Sequence, residues 1–113
     1  MHELSIVLSI IDIADKQVKE NHAHQVDIIE LEIGQLAGVE WSALDFAWEA
    51  ATKHTVLENA ERQIIRTDGR ARCMECNNEY PSDTLFTPCP TCGSYFCDFI
   101  QGKELRVKSL TIS

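Results

Sequence analysis

Apolar residues recur at helical spacing near the start of the chain and again past its first third. Residues 4–20 carry an apolar stripe with charged residues on the opposite face, which predicts an amphipathic helix. A second stripe predicts a helix over about 41–54, and Ser42-Ala-Leu-Asp45 near its start resembles a capping box. Trp48 and Phe46 of this helix are expected to lie in the core.

Three other segments alternate in the manner of strands. Val26–Ile33 places Ile29, Leu31 and Ile33 on one face, which predicts a sheet with one buried face. Arg62–Thr67 predicts a second strand and Leu105–Ile112 a last one. The apolar positions of the last strand switch parity, and a bulge near residues 108–109 would restore them to one face.

The predicted order is helix, strand, helix, strand, cysteine-rich module, strand. This order favours an α+β fold: a three-stranded sheet with two helices on one face, plus an inserted zinc-ribbon module. We expect an α/β domain over residues 1–70, completed by a final strand at 103–113. A zinc-ribbon domain is expected over residues 71–102.

Four cysteines form two Cys-x-x-Cys pairs separated by twelve residues. The first pair is Cys73 and Cys76, and the second is Cys89 and Cys92, followed by a glycine. Two such pairs can close one tetrahedral site, and four thiolates favour zinc. With four sulfur ligands the site has no open position, so its expected role is structural.

The cysteine spacing leaves two other readings open. Iron can occupy a rubredoxin-like site built from the same four sulfurs, which would make an electron-transfer protein. Two disulfides are also possible, but no apolar signal segment opens the chain, so we expect a reducing cytoplasm. No apolar run approaches the roughly 18 residues that a membrane span requires.

The formal charge of the chain is -8, and residues 1–70, with 13 acids and 6 bases, carry most of it. A zinc ribbon that binds nucleic acid would be expected to show a basic patch, because phosphate contacts supply much of the affinity. The acidic balance therefore argues against the main alternative function, a nucleic-acid or transcription accessory protein. We expect neither nucleic acid nor a membrane among the partners.

The chain begins Met1-His2-Glu3, which forms a possible second metal site. The Met1 amine, the deprotonated His2 amide and the His2 Nδ1 atom can chelate one ion in a plane. Such a donor set suits Ni(II) or Cu(II), with Glu3 or water completing the coordination. The residues alone leave open a solvated terminus with an incidental histidine. His22, His24 and His54 are expected at the surface.

Several motifs together give the chain a family resemblance. They are the Met1-His2-Glu3-Leu4 start, Leu31-Glu-Ile-Gly34, Leu36-Ala-Gly-Val39, the helix containing Phe46, the double Cys-x-x-Cys and Leu105-Arg-Val-Lys-Ser-Leu110. Over essentially its whole length the chain closely resembles the HypA/HybF family of hydrogenase maturation nickel metallochaperones.

The resemblance implies a nickel site centred on His2 with Glu3 beside it, and a structural zinc held by the four cysteines. It implies a protein that is not an enzyme. Such a protein would deliver nickel to the large-subunit precursor of [NiFe]-hydrogenase, together with the maturation GTPase HypB. In some organisms the family serves urease. An acidic residue near the nickel in relatives corresponds here to Glu40, whose carboxylate would otherwise only favour the helix start.

Two expectations concern features outside these motifs. Cys97 alternates with Tyr95 and Phe99 and is expected to be a small buried apolar residue rather than a spare ligand. The pattern also suggests few exposed apolar residues, from which we expect a monomer or a weak homodimer.

Overall fold

The computed structural model describes residues 3–113 and contains two helices and six strands. Helix α1 spans Glu3–Glu20 and α2 spans Trp41–Ala51. The strands, in chain order, are β1 Val26–Gly34, β2 Glu61–Thr67, β3 Arg70–Cys73, β4 Glu79–Pro81, β5 Cys97–Gln101 and β6 Leu105–Ile112. No helix among these residues is both long and apolar enough to cross a membrane.

One sheet has three strands in the order β2-β1-β6, formed from the three segments with strand period. In β1, Ile29, Leu31 and Ile33 are buried while the residues between them are only half-buried, as their alternation predicts. In β6 the half-buried positions switch parity across two exposed residues, 108 and 109. The α+β class predicted from the sequence is confirmed.

A second three-stranded sheet, in the order β4-β3-β5, lies within the cysteine-rich module. Strand β3 pairs antiparallel with both neighbours, and Ala71 lies opposite Tyr80 on one side and Phe99 on the other. These three residues line the small core of the module. The sequence analysis assigned no strands here, because segments of three to five residues are too short to show a period.

The chain divides into two compact units. The first comprises Met1–Leu31, Gly38–Gln63 and Val107–Ser113, and the second comprises Glu32–Ala37 and Ile64–Arg106. In the first unit α1 packs against α2 through its buried face, which contains Val7, Ile10, Ala14 and Val18.

Three glycines of the second unit allow its backbone segments to approach closely. A Cβ atom on Gly34 would collide with the carbonyl of Gly102, and one on Gly69 would collide with the carbonyl of Ser82. A Cβ on Gly102 would lie 2.6 Å from the Cα of Gly69, and its φ of +110° is one that L residues rarely adopt. We call Gly34, Gly69 and Gly102 the glycine contact.

Two expectations about apolar residues are wrong. Phe46 is 76% exposed rather than in the core, whereas Leu44, Ala47 and Trp48 of the same helix are buried, because the apolar stripe of α2 does not extend to position 46. The expectation of few exposed apolar residues also fails, since large apolar side chains are exposed on α1 and in the cysteine-rich module. The most exposed of the latter are Phe86, Tyr95 and Phe96.

The contrast between Leu44 and Phe46 gives a matched pair on one helix. Leu44→Ala removes a fully buried side chain and should lower the free energy of unfolding by about 2–5 kcal/mol. Phe46→Ala should change it by less than about 0.5 kcal/mol, since the side chain is mostly in water. Urea denaturation followed by circular dichroism measures both, and equal losses would contradict the assigned faces of α2.

Candidate metal centre

The four predicted zinc ligands converge at one end of the module. Cys73 ends β3, Cys76 lies in the turn that follows, and Cys89 and Cys92 flank a second turn. Their four sulfur atoms lie within 4.8 Å of one another. Within residues 3–113, no other group of three or more His, Cys, Asp or Glu side chains converges in this way.

The sulfur separations exclude one of the alternatives that the spacing left open, the pair of disulfides. The Sγ atoms of Cys73 and Cys92 are 3.5 Å apart, and those of Cys76 and Cys89 are 3.6 Å apart. A disulfide requires about 2.05 Å, so these pairs are free thiols. Four sulfurs around a tetrahedral zinc at about 2.3 Å lie about 3.8 Å apart, so the four residues fit that ion.

Each Cys-x-x-Cys pair is held by the same set of backbone hydrogen bonds. The Cys73 N–H donates to the Asn78 carbonyl at 2.8 Å, and the Asn77 N–H donates to the Cys73 carbonyl at 2.9 Å. In the second pair, the Cys89 N–H donates to the Ser94 carbonyl at 2.9 Å and the Gly93 N–H to the Cys89 carbonyl at 2.8 Å. The two turns are therefore equivalent in structure.

Both turns contain a residue with positive φ immediately after the second cysteine. Asn77 has a φ of 63° and Gly93 a φ of 75°. Asn and Gly tolerate the left-handed region better than other residues, which allows each chain segment to reverse around the sulfurs. The sequence signal was present in both pairs, as Cys-Asn and Cys-Gly.

Backbone N–H groups stabilise the thiolate form of the first cysteine in each pair. The N–H of Cys76 lowers the pKa of the Cys73 thiol, and the N–H of Glu75 adds to the effect. Burial raises the pKa of Cys89, but the N–H groups of Cys92 and Thr91 lower it to about 6. Since metal ligands must be deprotonated, these dipoles favour metal binding.

The neighbouring sulfur atoms disfavour the ionisation of Cys92, the second cysteine of the second pair. The Ser94 N–H lowers the pKa of Cys92, yet its hydrogen bond with Cys73 and its partial desolvation raise that pKa to about 12. Neighbouring thiolates repel one another, so the protonated form of Cys92 is favoured. A divalent cation would remove that repulsion and allow all four to ionise.

Cys97 lies outside the four-sulfur group. It is half-buried and packs with Phe99 against the small core of Ala71, Cys73, Tyr80 and Cys89. The pKa of the Tyr80 hydroxyl is raised to about 12, chiefly by a hydrogen bond with Cys97 and next by burial. Cys97 was expected to be a small buried apolar residue rather than a spare ligand; it lies outside the ligand group but is half-buried rather than buried.

At the amino terminus the first described residue is Glu3, so the predicted ligand His2 lies outside the described residues. The Glu3 carboxylate accepts a hydrogen bond from the Glu40 N–H at 3.3 Å. Both side chains line an open cleft of about 450 Å³, together with Leu4, Ser42, Ala43, Phe46 and Ala47. No sequence pattern predicts this contact between residues 37 positions apart.

Glu40 is the N-cap of α2. Its carboxylate accepts hydrogen bonds from the Ser42 and Ala43 N–H groups, at 3.2 and 2.7 Å, and from the Ser42 hydroxyl. The predicted capping box at Ser42-Ala-Leu-Asp45 is therefore wrong: Ser42 is already helical and Glu40 supplies the acceptor. The Ser42 hydroxyl, followed by the Ala43 N–H, lowers the pKa of the Glu40 carboxyl.

The three other histidines, His22, His24 and His54, are exposed, as predicted. His22 and His54 have positive φ, at 55° and 65°, where each ends a turn.

The chain matches a family model described as "Hydrogenase/urease nickel incorporation, metallochaperone, hypA" over residues 1–112. Hydrogenase maturation factor HypA of Parabacteroides distasonis is 46% identical over 114 residues, covering 99% of this chain and 97% of that protein. The corresponding factor of Geobacter metallireducens is 42% identical over 112 residues, covering 99% of each chain.

Solved structures give the same result. The solution structure of the Ni metallochaperone HypA from Helicobacter pylori has a TM-score of 0.70 and 26% identity, covering 99% of this chain and 97% of that one. The fold and the four-cysteine site define a small α+β metal-binding protein with a zinc ribbon. With the family model matching nearly every residue, the chain belongs to the HypA family.

The four-sulfur geometry predicts which cysteines are needed for zinc. Cys89→Ser removes a buried ligand and should abolish tight zinc binding, since three thiolates leave the tetrahedral site incomplete. Cys97→Ser should keep one zinc per chain, because its sulfur lies outside the group. Zinc content of the purified proteins, measured by elemental analysis, tests both; retention of zinc in the Cys89 variant would refute the assignment.

The N-cap predicts a stability difference that depends on pH. Glu40→Gln removes the charge that faces the start of α2, so it should lower the unfolding midpoint at pH 7. The folded pKa of Glu40 lies below its ordinary 4.5. The stabilisation is therefore complete above about 4.5 and should disappear as the pH falls through the lowered folded value.

Thermal unfolding of the parent and the Gln variant at matched pH values measures this difference. Glu49→Gln, at an exposed position near the other end of α2, is the control for loss of one negative charge. Equal midpoints for the parent and Glu40→Gln at pH 7 would exclude the cap as a source of stability.

Proposed function

We propose that this protein acts as a nickel metallochaperone that assists nickel insertion into [NiFe]-hydrogenase during maturation. The observation that carries the proposal is the family match over residues 1–112, which includes the amino-terminal Met1-His2-Glu3. Its likeness to a structure of a Ni metallochaperone supports the same function. We place the protein in the cytoplasm, where the hydrogenase precursor would be available to it.

Nickel would be held at the amino terminus by His2 and Glu3. The Met1 amine and the His2 amide close a five-membered ring, and the amide and Nδ1 of His2 close a six-membered ring. Nitrogen donors in a plane suit Ni(II), and the Glu3 carboxylate is a further oxygen donor. The Glu40 N–H hydrogen bond to Glu3 restrains that carboxylate at the start of α1.

The two metal sites would have different tasks. Four thiolates, two of them on buried cysteines, leave no open position, so the zinc would maintain the ribbon. Nitrogen and oxygen donors at a chain end would bind nickel less tightly and release it to an acceptor. The closed four-sulfur site provides no substrate position, and nickel at the chain end would be cargo, so we propose a delivery protein and not an enzyme.

The partners proposed are the large-subunit precursor of [NiFe]-hydrogenase and the maturation GTPase HypB. The family description names urease as well as hydrogenase. A chain with a formal charge of -8 would be attracted to basic surfaces of such partners. We propose residues 1–70 with 103–113 as the nickel-binding domain, residues 71–102 as the zinc-ribbon domain, and a monomer or weak homodimer as the working form.

Nickel binding by the terminal amine is tested by extending the chain. A fused segment before Met1 turns the amine into an amide, a poorer donor, and should weaken nickel binding although every side chain is intact. His2→Ala removes the imidazole and should weaken it as well. Nickel titration by calorimetry compares the tag-free, extended and His2→Ala proteins.

The zinc content serves as the control, because neither change touches the cysteines. Equal affinity of the tag-free and extended proteins would eliminate the amine as a ligand. Equal affinity of all three would exclude the amino terminus from nickel binding altogether, and the proposed mechanism with it.

A further inference from the structure

Cys97 is the one cysteine that the four-sulfur group does not use, and it lies directly across a strand pair from Cys73. Strands β3 and β5 are antiparallel, and Cys73 is opposite Cys97 in their register. Directly opposed residues project on the same face of a sheet. Both cysteines accordingly contact the same small core.

The backbone hydrogen bonds identify the type of pair. The Met74 N–H donates to the Phe96 carbonyl at 2.9 Å, which is one of the two bonds of a hydrogen-bonded pair; the Phe96 N–H donates to the Ser94 hydroxyl instead. This bond places Met74 and Phe96 at a hydrogen-bonded position of the ladder. Pair types alternate along antiparallel strands, which makes Cys73 and Cys97 a non-hydrogen-bonded pair. Their Cα atoms are therefore expected about 4.5 Å apart, within the range of about 4.4–6.8 Å that disulfides use.

Cys73 and Cys97 also differ in accessibility. Cys73 is fully buried, while Cys97 is half-buried and reachable from solvent. Cys76 and Cys92 are more exposed still, but in the zinc-loaded protein both would be ligands, so Cys97 is the free thiol that an external oxidant meets. This is the arrangement of an entry thiol and a resolving thiol.

From these observations we propose that Cys73 and Cys97 form a redox pair, in which a disulfide across β3 and β5 replaces the metal as the link within the module. The Cys97 thiolate attacks a low-molecular-weight disulfide such as glutathione disulfide, giving a mixed disulfide and one glutathione thiolate. The Cys73 thiolate then attacks the Cys97 sulfur, forms the cross-strand bond and displaces the second glutathione thiolate. Two cysteine thiols are oxidised and one glutathione disulfide is reduced, with both protons taken up by glutathione.

The consequence for the metal follows from the identity of Cys73. Once its sulfur is in a disulfide, Cys76, Cys89 and Cys92 remain, and three thiolates hold zinc more weakly than four. The zinc is then released, while β3 and β5 stay joined covalently. Reduction by a thiol restores both cysteines and the complete ligand set.

The first test maps the disulfide in the full-length protein. The zinc-loaded protein is incubated with glutathione disulfide, and remaining thiols are alkylated before digestion. Trypsin alone leaves all five cysteines in one peptide, so glutamyl endopeptidase and chymotrypsin are added; their sites separate Cys73, Cys76 and Cys97 from one another and from the Cys89–Cys92 pair. These sites follow Glu75, Glu79, Phe86, Tyr95 and Phe96.

The expected product is a peptide linking Cys73 to Cys97 as the principal form of both residues, with loss of their alkylated forms. The proposal is overturned if Cys73 pairs chiefly with Cys76, Cys89 or Cys92. It is equally overturned if Cys97 ends as a stable mixed disulfide with glutathione or remains alkylated.

The second test measures zinc release from the loaded protein with a chromogenic chelator. Glutathione disulfide should accelerate release from the parent, and Cys97→Ser should lose most of that acceleration. Cys97→Val, which keeps an apolar side chain against Tyr80, covers the case in which the Ser variant packs poorly. Both variants should match the parent without oxidant; unchanged acceleration in a variant that retains zinc would refute the proposal.

Discussion

The cysteine-rich module depends on the convergence of four sulfur atoms. Its small core consists of Ala71, Cys73, Tyr80 and Cys89, and two of these are predicted metal ligands. Structural zinc in small modules contributes about 10–16 kcal/mol of apparent binding free energy, as much as the whole net stability of an ordinary domain, about 5–15 kcal/mol. Zinc binding therefore outweighs what so small a core can supply by burial.

That constraint explains why large apolar side chains of the module are left in water. Phe86, Tyr95 and Phe96 are all more than half exposed, because the strands and turns are arranged around the sulfurs rather than around an apolar interior. The first unit has the usual arrangement, in which buried residues of α1, α2 and the first part of β1 supply the core. The first unit and the cysteine-rich module thus reach stability by different physical means.

The sequence predicted those features that repeat at short range. The bounds of β6 were predicted to the residue and those of β1 to within one, because long alternation leaves a clear pattern. The sulfur group followed from the spacing of two Cys-x-x-Cys pairs, which is itself a local signal. In contrast, the pairing of Cys73 with Cys97 depends on strand register, and the Glu3–Glu40 contact on chain geometry over 37 positions.

The errors have a common origin as well. Ser42 was a plausible cap from its residue type, but Glu40 lies two residues earlier and its longer side chain folds back onto the helix start. Phe46 looked like a core residue from its apolarity, although its position on α2 faces solvent. In both cases the residue type suggested one role, but the outcome depended on where α2 begins and on which of its faces is buried. His2 lies outside the described residues, so the prediction that His2 and Glu3 bind nickel rests on the Met1-His2-Glu3 motif.

Glu40 joins the starts of the two helices, since its carboxylate caps α2 while its backbone N–H contacts Glu3 of α1.

The glycine contact imposes a different kind of restriction. Most overcrowded positions can be relieved during evolution by shortening a neighbouring side chain. At Gly34, Gly69 and Gly102 the nearest atoms belong to the main chain, which every amino acid possesses. No substitution at a neighbouring position can make room for a side chain at these three glycines. They can therefore be replaced during evolution only if the length or the path of the backbone changes as well.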